Sequence, residues 1–296
     1  MPMLPVQPAL LLPPPAFGRA LQFRLALEAD PDPMLARLRH GWNLEWGVVG
    51  LGEPLTRALG AAVSGLRAFP ALAGSGCAVA STQQSLWAFV RGATRTETFD
   101  RADRVRALIE GPFVLADSVD TFTYREGRDL TGYVDGTANP SEAESPGVAL
   151  VGSGAGLAGS SFVAVQRWVH DLRQFRTHGQ RERDLMIGRR QDTNEEIADA
   201  PAWAHVKRTD QIAAYLPPVF IVRRSMPWAE GSEQGLEFIA YGKTLDFFER
   251  HLRRMIGLDD GIVDAVFRFS RAVQGSYYWC PPVANGALDL SAVGVA

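Results

Sequence analysis

The stretch TGYVDGTANP, residues 131–140, sets one carboxylate, Asp135, between Gly132 and Gly136 and closes on Asn139-Pro140. Glycines on both sides let the backbone turn tightly and approach a neighbour closely. Two roles fit an acidic residue so placed. It can cap a helix or mark a turn tip, or it can hold a proton-transfer group in a closed pocket.

A cation suited to such a pocket occurs in IVRRSMPW, where Arg223 and Arg224 end an apolar run. Strand alternation sends the two side chains to opposite faces, so at most one faces a given pocket. An interior guanidinium needs an anionic partner, which Asp135 or a bound anion could be. An ordinary strand-end ion pair is the alternative.

The five histidines are His40, His170, His178, His205 and His251. None pair at an HxH or HxxxH spacing, so a multi-histidine metal site is not signalled. His40 and His251 fall in charged helical stretches and are expected at the surface. His170 and Asp171 end an apolar run, as a strand-end polar pair or with Asp171 as a helix cap. His205 lies in APAWAHVKRTD, after the acidic stretch QDTNEEIADAP, with Trp203 and Val206 beside it and Lys207 and Arg208 next. Packing or surface exposure is the ordinary fate of such a histidine. A single neutral imidazole can also be the axial ligand of a haem iron, with nearby cations pairing the propionates.

The elements that would position these residues fall into two halves. Strands are expected at 21–29, 45–52 and 85–92, with helices in PDPMLARLRHGW, in PLTRALGAAVSGLRAF and in DRADRVRALIEG, and a strand in FVLADSVDTFTYRE that leads into the glycine motif. After it come strands from Ser160, at 219–228 and at 236–242, a helix over 243–257, and a last strand in AVFRFSRAVQGSYYWCPP. Leu86, Gly92 and Thr94 recur as Leu236, Gly242 and Thr244, each time as strand, glycine, threonine and helix. The repeated order implies two related modules. The expected class is α+β, two ferredoxin-like modules with antiparallel sheets flanked by helices: 1–138, a Gly/Ser/Pro-rich connector over 139–159, and 160–296.

Composition bounds the function. The chain has 296 residues, 46% hydrophobic and 21% charged, with a formal net charge of −3, as expected of a chain that buries a sizeable core. Without a basic patch, nucleic acid is not an expected partner. Two cysteines, Cys77 and Cys280, make neither a disulfide framework nor a Cys-rich zinc site and fit a reducing compartment. The N-terminal run ALLL lacks a basic flank and is broken by prolines, so it reads as an extended segment and not a signal peptide, with no membrane span and a cytoplasmic location expected.

Taken together, GYVDGTANP, SSFVAVQRWVHDL, MIGRR, AHVKRTD, IVRRSMPW, EFIAYG and VFRFSRAVQGSYYWCPP resemble, in that order over roughly 130–282, the dye-decolourising peroxidases, a haem peroxidase family, and within it the bacterial intracellular subgroup. The resemblance implies haem b held mainly by the C-terminal module. It implies His205 as proximal iron ligand, Asp264 as the carboxylate behind it, and Asp135 and Arg223 as distal catalytic residues, with Arg224 pointing away. Arg208 and Arg189 are implied as propionate contacts, with Gly136 and Thr137 beside the haem. Ser225 takes a distal position where some relatives have asparagine.

The implied chemistry is reduction of hydrogen peroxide, with Asp135 relaying a proton between the two peroxide oxygens and Arg223 stabilising developing negative charge. Dyes, phenols or other donors would then be oxidised in one-electron steps. Trp168, Trp203, Trp228, Tyr277, Tyr278 and Trp279 are candidates by type to carry electrons to the surface, and core packing is the ordinary role of each. Two other functions stay open: a haem-binding protein for iron or haem handling without turnover, and a haem-free enzyme using Asp135 as acid or base. The resemblance also implies a homo-oligomer, a dimer or larger. The apolar tail NGALDLSAVGVA is expected to fray or pack and not to direct entry into a nanocompartment.

Overall fold

Apolar runs of the first half form strands β1 (Phe17–Leu25), β2 (Gly47–Leu51), β3 (Leu86–Gly92) and β4 (Phe113–Phe122). Helices α1 (Asp32–Gly41) and α2 (Arg95–Ile109) connect them in β-α-β-β-α-β order. The second half repeats it with β5 (Ser161–His170), helices α3 (Leu172–Thr177), α4 (Gln180–Ile187) and α5 (His205–Arg208), then β6 (Val222–Arg223), β7 (Met226–Glu230), β8 (Glu233–Gly242), α6 (Leu245–Met255) and β9 (Ser270–Cys280). These elements belong to a computed structural model that describes residues 5–213 and 215–295.

Strand order is β2-β3-β1-β4 in the first half and β7-β8-β5-β9 in the second, the same antiparallel ferredoxin-like arrangement twice. The two sheets are not separate. Thr121 pairs with Trp228 and Trp279 with Leu51, and the β5–β8 pairing closes eight strands into a barrel, with short β6 joined to β8 alone. Closure removes exposed sheet edges. Residues such as Ala20, Val165, Ile239 and Tyr278 fill the interior, while a second, larger core lies between the barrel and its helices.

The internal echo falls at equivalent places. Thr94 and Thr244 both cap helices, accepting from the Glu97 and Asp246 amides. A Cβ on Gly92 would lie 3.1 Å from the Thr94 carbonyl, and one on Gly242 3.1 Å from the Thr244 carbonyl, so both strand ends turn tightly into their caps. One expected helix is much shorter. Over 54–69 only Glu53–Ala58 is helical, because Gly60 and Gly65 take left-handed φ of +67° and +89°. The chain then brings Phe69 onto Tyr277, with ring centroids 4.6 Å apart. The C-terminal tail packs, burying Leu288, Leu290, Val293 and Val295.

Inside the barrel Arg167 stands between Asp117 at 2.6 Å and Glu237 at 3.1 Å. One guanidinium serves two carboxylates, and Oε1 of Glu237 has no partner. Burial pushes the Glu237 carboxyl from its ordinary 4.5 up to about 7, against the pull of Arg167. The folded protein therefore holds a proton that the unfolded chain releases. Stability falls as pH rises between those two values and levels off above them. Denaturant unfolding at stepped pH should show wild type losing on the order of 2–3 kcal/mol between pH 5 and 7.5 relative to Glu237→Gln. Parallel pH profiles for the two proteins would refute this.

Candidate active site

His205 opens α5, at the end of a segment pinned by two backbone bonds: Ala265 N donates to Trp203 O (2.9 Å) and Lys207 N to Ala204 O (2.9 Å). Its Nδ1 lies 2.7 Å from Oδ2 of Asp264. Asp264 is buried and its Oδ1 accepts from Val266 N at 2.9 Å, so both oxygens are committed. A carboxylate accepts only, which places the proton on Nδ1 and leaves the Nε2 lone pair of His205 free. That ring borders a cavity of about 900 Å³.

Asp135 and Arg223 border the same cavity. The glycine loop holds Asp135 at two points: its amide donates to Gly127 O (3.0 Å), and its Oδ1 accepts from Gly136 N (2.6 Å). Gly132 and Gly136 take φ of +90° and +80°, a region that favours glycine. A Cβ on Gly132 would also run into the Gln191 amide. Asn139 ties this loop to the arginine strand, donating to Arg223 O (3.0 Å) and accepting from Arg223 N (2.8 Å). Its side chain thus stands in for a strand partner of β6. Arg223 Nη1 lies 3.9 Å from Asp135 Oδ1, and its Nε is buried without a partner. Arg224 turns the other way, donating from Nε to Leu12 O (2.7 Å) and from Nη2 to Leu11 O (2.9 Å). It clamps the N-terminal segment.

The other expected site residues divide. Arg189 and Thr137 line the cavity, with Arg189 at its rim bonded to Asn194 O (3.0 Å) and Glu196 (3.1 Å). Gly136 acts through its amide on Asp135. Arg208 does not reach the cavity. It is buried and paired by both terminal nitrogens with Asp260, at 2.8 and 2.7 Å, which ties α5 to the turn after α6 and leaves no free fork for a propionate. Ser225 does not line the cavity either. It falls at the break between β6 and β7, where its Oγ accepts from Ile239 N (3.2 Å) in place of a ladder bond. It borders a separate depression of about 340 Å³ that also touches Asp135 and Arg223.

Two further histidines reach the site. His251 is buried, not at the surface as expected. It shares the α6 stripe of Phe248 and Leu252, and a helical reading that counted it with 248 and 252 would have placed it inside. Burial pushes its imidazole down to about 4. Its nitrogens face Tyr215 OH (3.1 Å) and Val219 O (3.3 Å). His170 lies between Ser270 Oγ at Nδ1 (2.6 Å) and Asp129 Oδ2 at Nε2 (3.1 Å), while Asp171 caps α3. Burial works to raise the Asp129 carboxyl, but His170 and the Thr131 hydrogen bonds hold it below the ordinary range. Of the electron-transfer candidates, Trp168, Trp228, Tyr277, Tyr278 and Trp279 are buried, and Trp203 is half-buried under the Arg268 guanidinium at 4.3 Å. Among the described residues no helix is long and apolar enough to cross a membrane.

The cavity is large enough for a sizeable ligand and is partly apolar. Ile187, Val206, Leu236 and Phe269 supply apolar wall, Arg189 sits at the rim, one imidazole presents a free nitrogen, and one buried guanidinium nitrogen lacks a partner.

The family described as Dyp-type peroxidase, C-terminal, matches residues 126–285. A dye-decolorizing peroxidase of Mycolicibacterium paratuberculosis (strain ATCC BAA-968 / K-10) is 34% identical over 69% of this chain, an alignment that spans 59% of that relative. One of Mycobacterium tuberculosis (strain ATCC 25618 / H37Rv) is 32% identical over 74% of this chain and 67% of its own length. Among solved structures, a dye-decolorizing protein from V. cholerae superposes with a TM-score of 0.82 at 29% identity, covering 92% of this chain and 96% of that one. A variant of Rhodococcus jostii RHA1 DypB in complex with heme gives 0.85 at 27% identity, covering 92% and 95%. With the matched family region containing Asp135, His205, Arg223 and Asp264 together, the chain belongs to the Dyp-type peroxidase family.

Proposed function

We propose that this chain is a haem peroxidase that takes haem b in the cavity, reduces hydrogen peroxide there and oxidises dyes, phenols or other donors by one-electron steps, in the cytoplasm and as a homo-oligomer. The observation that carries the reading is the pairing of two groups on one cavity: His205, with Asp264 behind it and its Nε2 free, and Arg223, with Asp135 beside it and its Nε unpartnered. A haem carrier would need the first group and not the second. A family relative is described as a complex with heme.

Bound there, haem would supply the two electrons that reduce peroxide to water. The protein's own work is done around it. Asp264 would orient the His205 ring and raise its basicity by accepting a hydrogen bond from Nδ1–H. Asp135 Oδ2, not used by Gly136, can take a proton from one peroxide oxygen and return it to the other. Arg223 would donate to the oxygen on which negative charge develops, its Nη1 lying 3.9 Å from Asp135 and so not held in a hydrogen bond to it. Arg189, which lines the cavity, would have to exchange its Glu196 or Asn194 bond to meet a propionate.

Haem-replete protein should show a Soret band that changes on mixing with peroxide and returns as a dye is oxidised. A Soret band indifferent to peroxide would favour the carrier reading, and no Soret band would favour a haem-free enzyme. Asp135→Asn should keep haem and slow the peroxide reaction by about tenfold, below the 10²–10⁴ of a sole acid–base group, because Arg223 remains and water can carry the proton. Second-order rates from acidic to neutral pH check this. No loss at any pH would return the glycine loop to a purely structural role.

A further inference from the structure

We propose that Tyr215 is a site where phenolic donors too large to enter the haem cavity are oxidised, and that His251 takes and returns the phenolic proton as each electron passes. This rests on haem occupying the cavity. Among the described residues the tyrosines divide by exposure and by what meets their hydroxyls. Tyr133, Tyr241, Tyr277 and Tyr278 are buried, out of reach of a large donor. Tyr124 and Tyr215 are half-buried. Of these two, Tyr215 has a base at its hydroxyl, which lies 3.1 Å from Nδ1 of His251. The two rings meet edge to face, with centroids 4.9 Å apart. His251 in turn lines a lobe of about 130 Å³ together with His205, Asp135 and Arg223. One side chain therefore links a partly exposed phenol to the haem site.

The direction of the proton follows from the other nitrogen. His251 Nε2 lies 3.3 Å from Val219 O. A carbonyl accepts only, so Nε2 carries the hydrogen, and the buried, neutral ring presents a lone pair at Nδ1. Tyr215 is thus the donor of the pair. An oxidised phenol is a strong acid, and the Arg250 guanidinium, 5.6 Å over the Tyr215 ring, makes a positive charge on that ring costly. Electron and proton therefore leave together. Tyr215 gives one electron to haem that peroxide has oxidised and its proton to Nδ1, leaving a neutral phenoxyl beside an imidazolium. A phenol at the surface then gives one electron to the phenoxyl, and Nδ1 returns the proton to the Tyr215 oxygen. The donor releases its own proton to water and departs as a radical. The other aromatic candidates lack such a base: the Tyr277 hydroxyl has no partner, and that of Tyr278 donates to the Gln22 side-chain amide.

The test uses the full chain loaded with haem. Frozen shortly after mixing with peroxide, wild type should show a tyrosyl radical by electron paramagnetic resonance, and Tyr215→Phe should lose most of it. The rate of oxidation of a bulky phenolic dye, divided by the rate of the peroxide reaction, should fall about tenfold in Tyr215→Phe. A role in packing alone would not move that ratio, since phenylalanine keeps the ring. Haem-free protein gives a separate arm: the Nδ1 resonance of His251 in nitrogen NMR should shift in Tyr215→Phe as its hydrogen bond is lost. An unchanged radical signal with an unchanged ratio would overturn the proposal, and so would a His251 resonance indifferent to the substitution. A wild type that gains no Soret band, or whose Soret band ignores peroxide, would overturn the haem reading and this inference with it, and would leave the haem-free result standing.

Discussion

Arg223→Leu should bind haem as wild type does and react with peroxide about 10²–10³-fold more slowly, the usual cost of losing one donor aimed at developing negative charge. The geometry gives the reason for so large an effect. Arg223 lines the cavity, its Nε is buried without a partner, and Nη1 stands 3.9 Å from Asp135, too far for a hydrogen bond. The guanidinium is thus held in place by its strand and by Asn139 on its backbone, with donors free for a ligand. Leucine keeps much of the apolar stem, and Asp135 keeps its own bond to Gly136. Arg224→Leu is the control. It removes bonds to the Leu11 and Leu12 carbonyls and should cost about 1 kcal/mol of stability with little change in peroxide rate. Stopped-flow rates for the two variants decide the matter. Equal losses, or a greater one at Arg224, would sink the assignment.

His205→Ala should retain less than about a tenth of the haem, because the axial bond is the one specific anchor to the iron. Three histidines line the cavity among the described residues, yet only His205 has a nitrogen to spare. His170 lies between Ser270 and Asp129, and His251 between Tyr215 and Val219. Neither can replace the lost ligand without breaking a buried hydrogen bond. The substitution also strips Asp264 of its partner, so folding must be checked separately by circular dichroism. Imidazole added to His205→Gly gives the second arm. It should restore part of the Soret band by filling the vacated place. Wild-type haem content and an unchanged ferric spectrum in His205→Ala would remove His205 from the site.

Much of this architecture could be read along the chain. The two halves announce themselves because strand and helix periods are local, and because Gly92-x-Thr94 and Gly242-x-Thr244 repeat one tight turn into one helix cap. The divergence of Arg223 and Arg224 follows from strand alternation, which needs no knowledge of the partner strand. The flanking glycines of Asp135 report a backbone that only glycine adopts readily. For His205, Asp264 and the distal pair, the residues alone left alternatives open, and the ordered set of motifs supplied the choice.

The tertiary structure decided what depends on partners distant in sequence. Local pattern shows which way a side chain points, not what meets it there. Closure of two expected sheets into one barrel rests on pairs such as Thr121 with Trp228. Arg208 looked available for a propionate until Asp260 took both ends of its fork. Ser225 was expected on the distal side, and only the fold showed its oxygen on the Ile239 amide, in a depression apart from the main cavity. Asn139 closed a turn motif in the sequence, and only the fold gave it the backbone of Arg223, 84 residues away, to hold. A polar group's role is set by which donor or acceptor satisfies it, and in a closed barrel that partner arrives by long-range packing, which residue spacing does not encode.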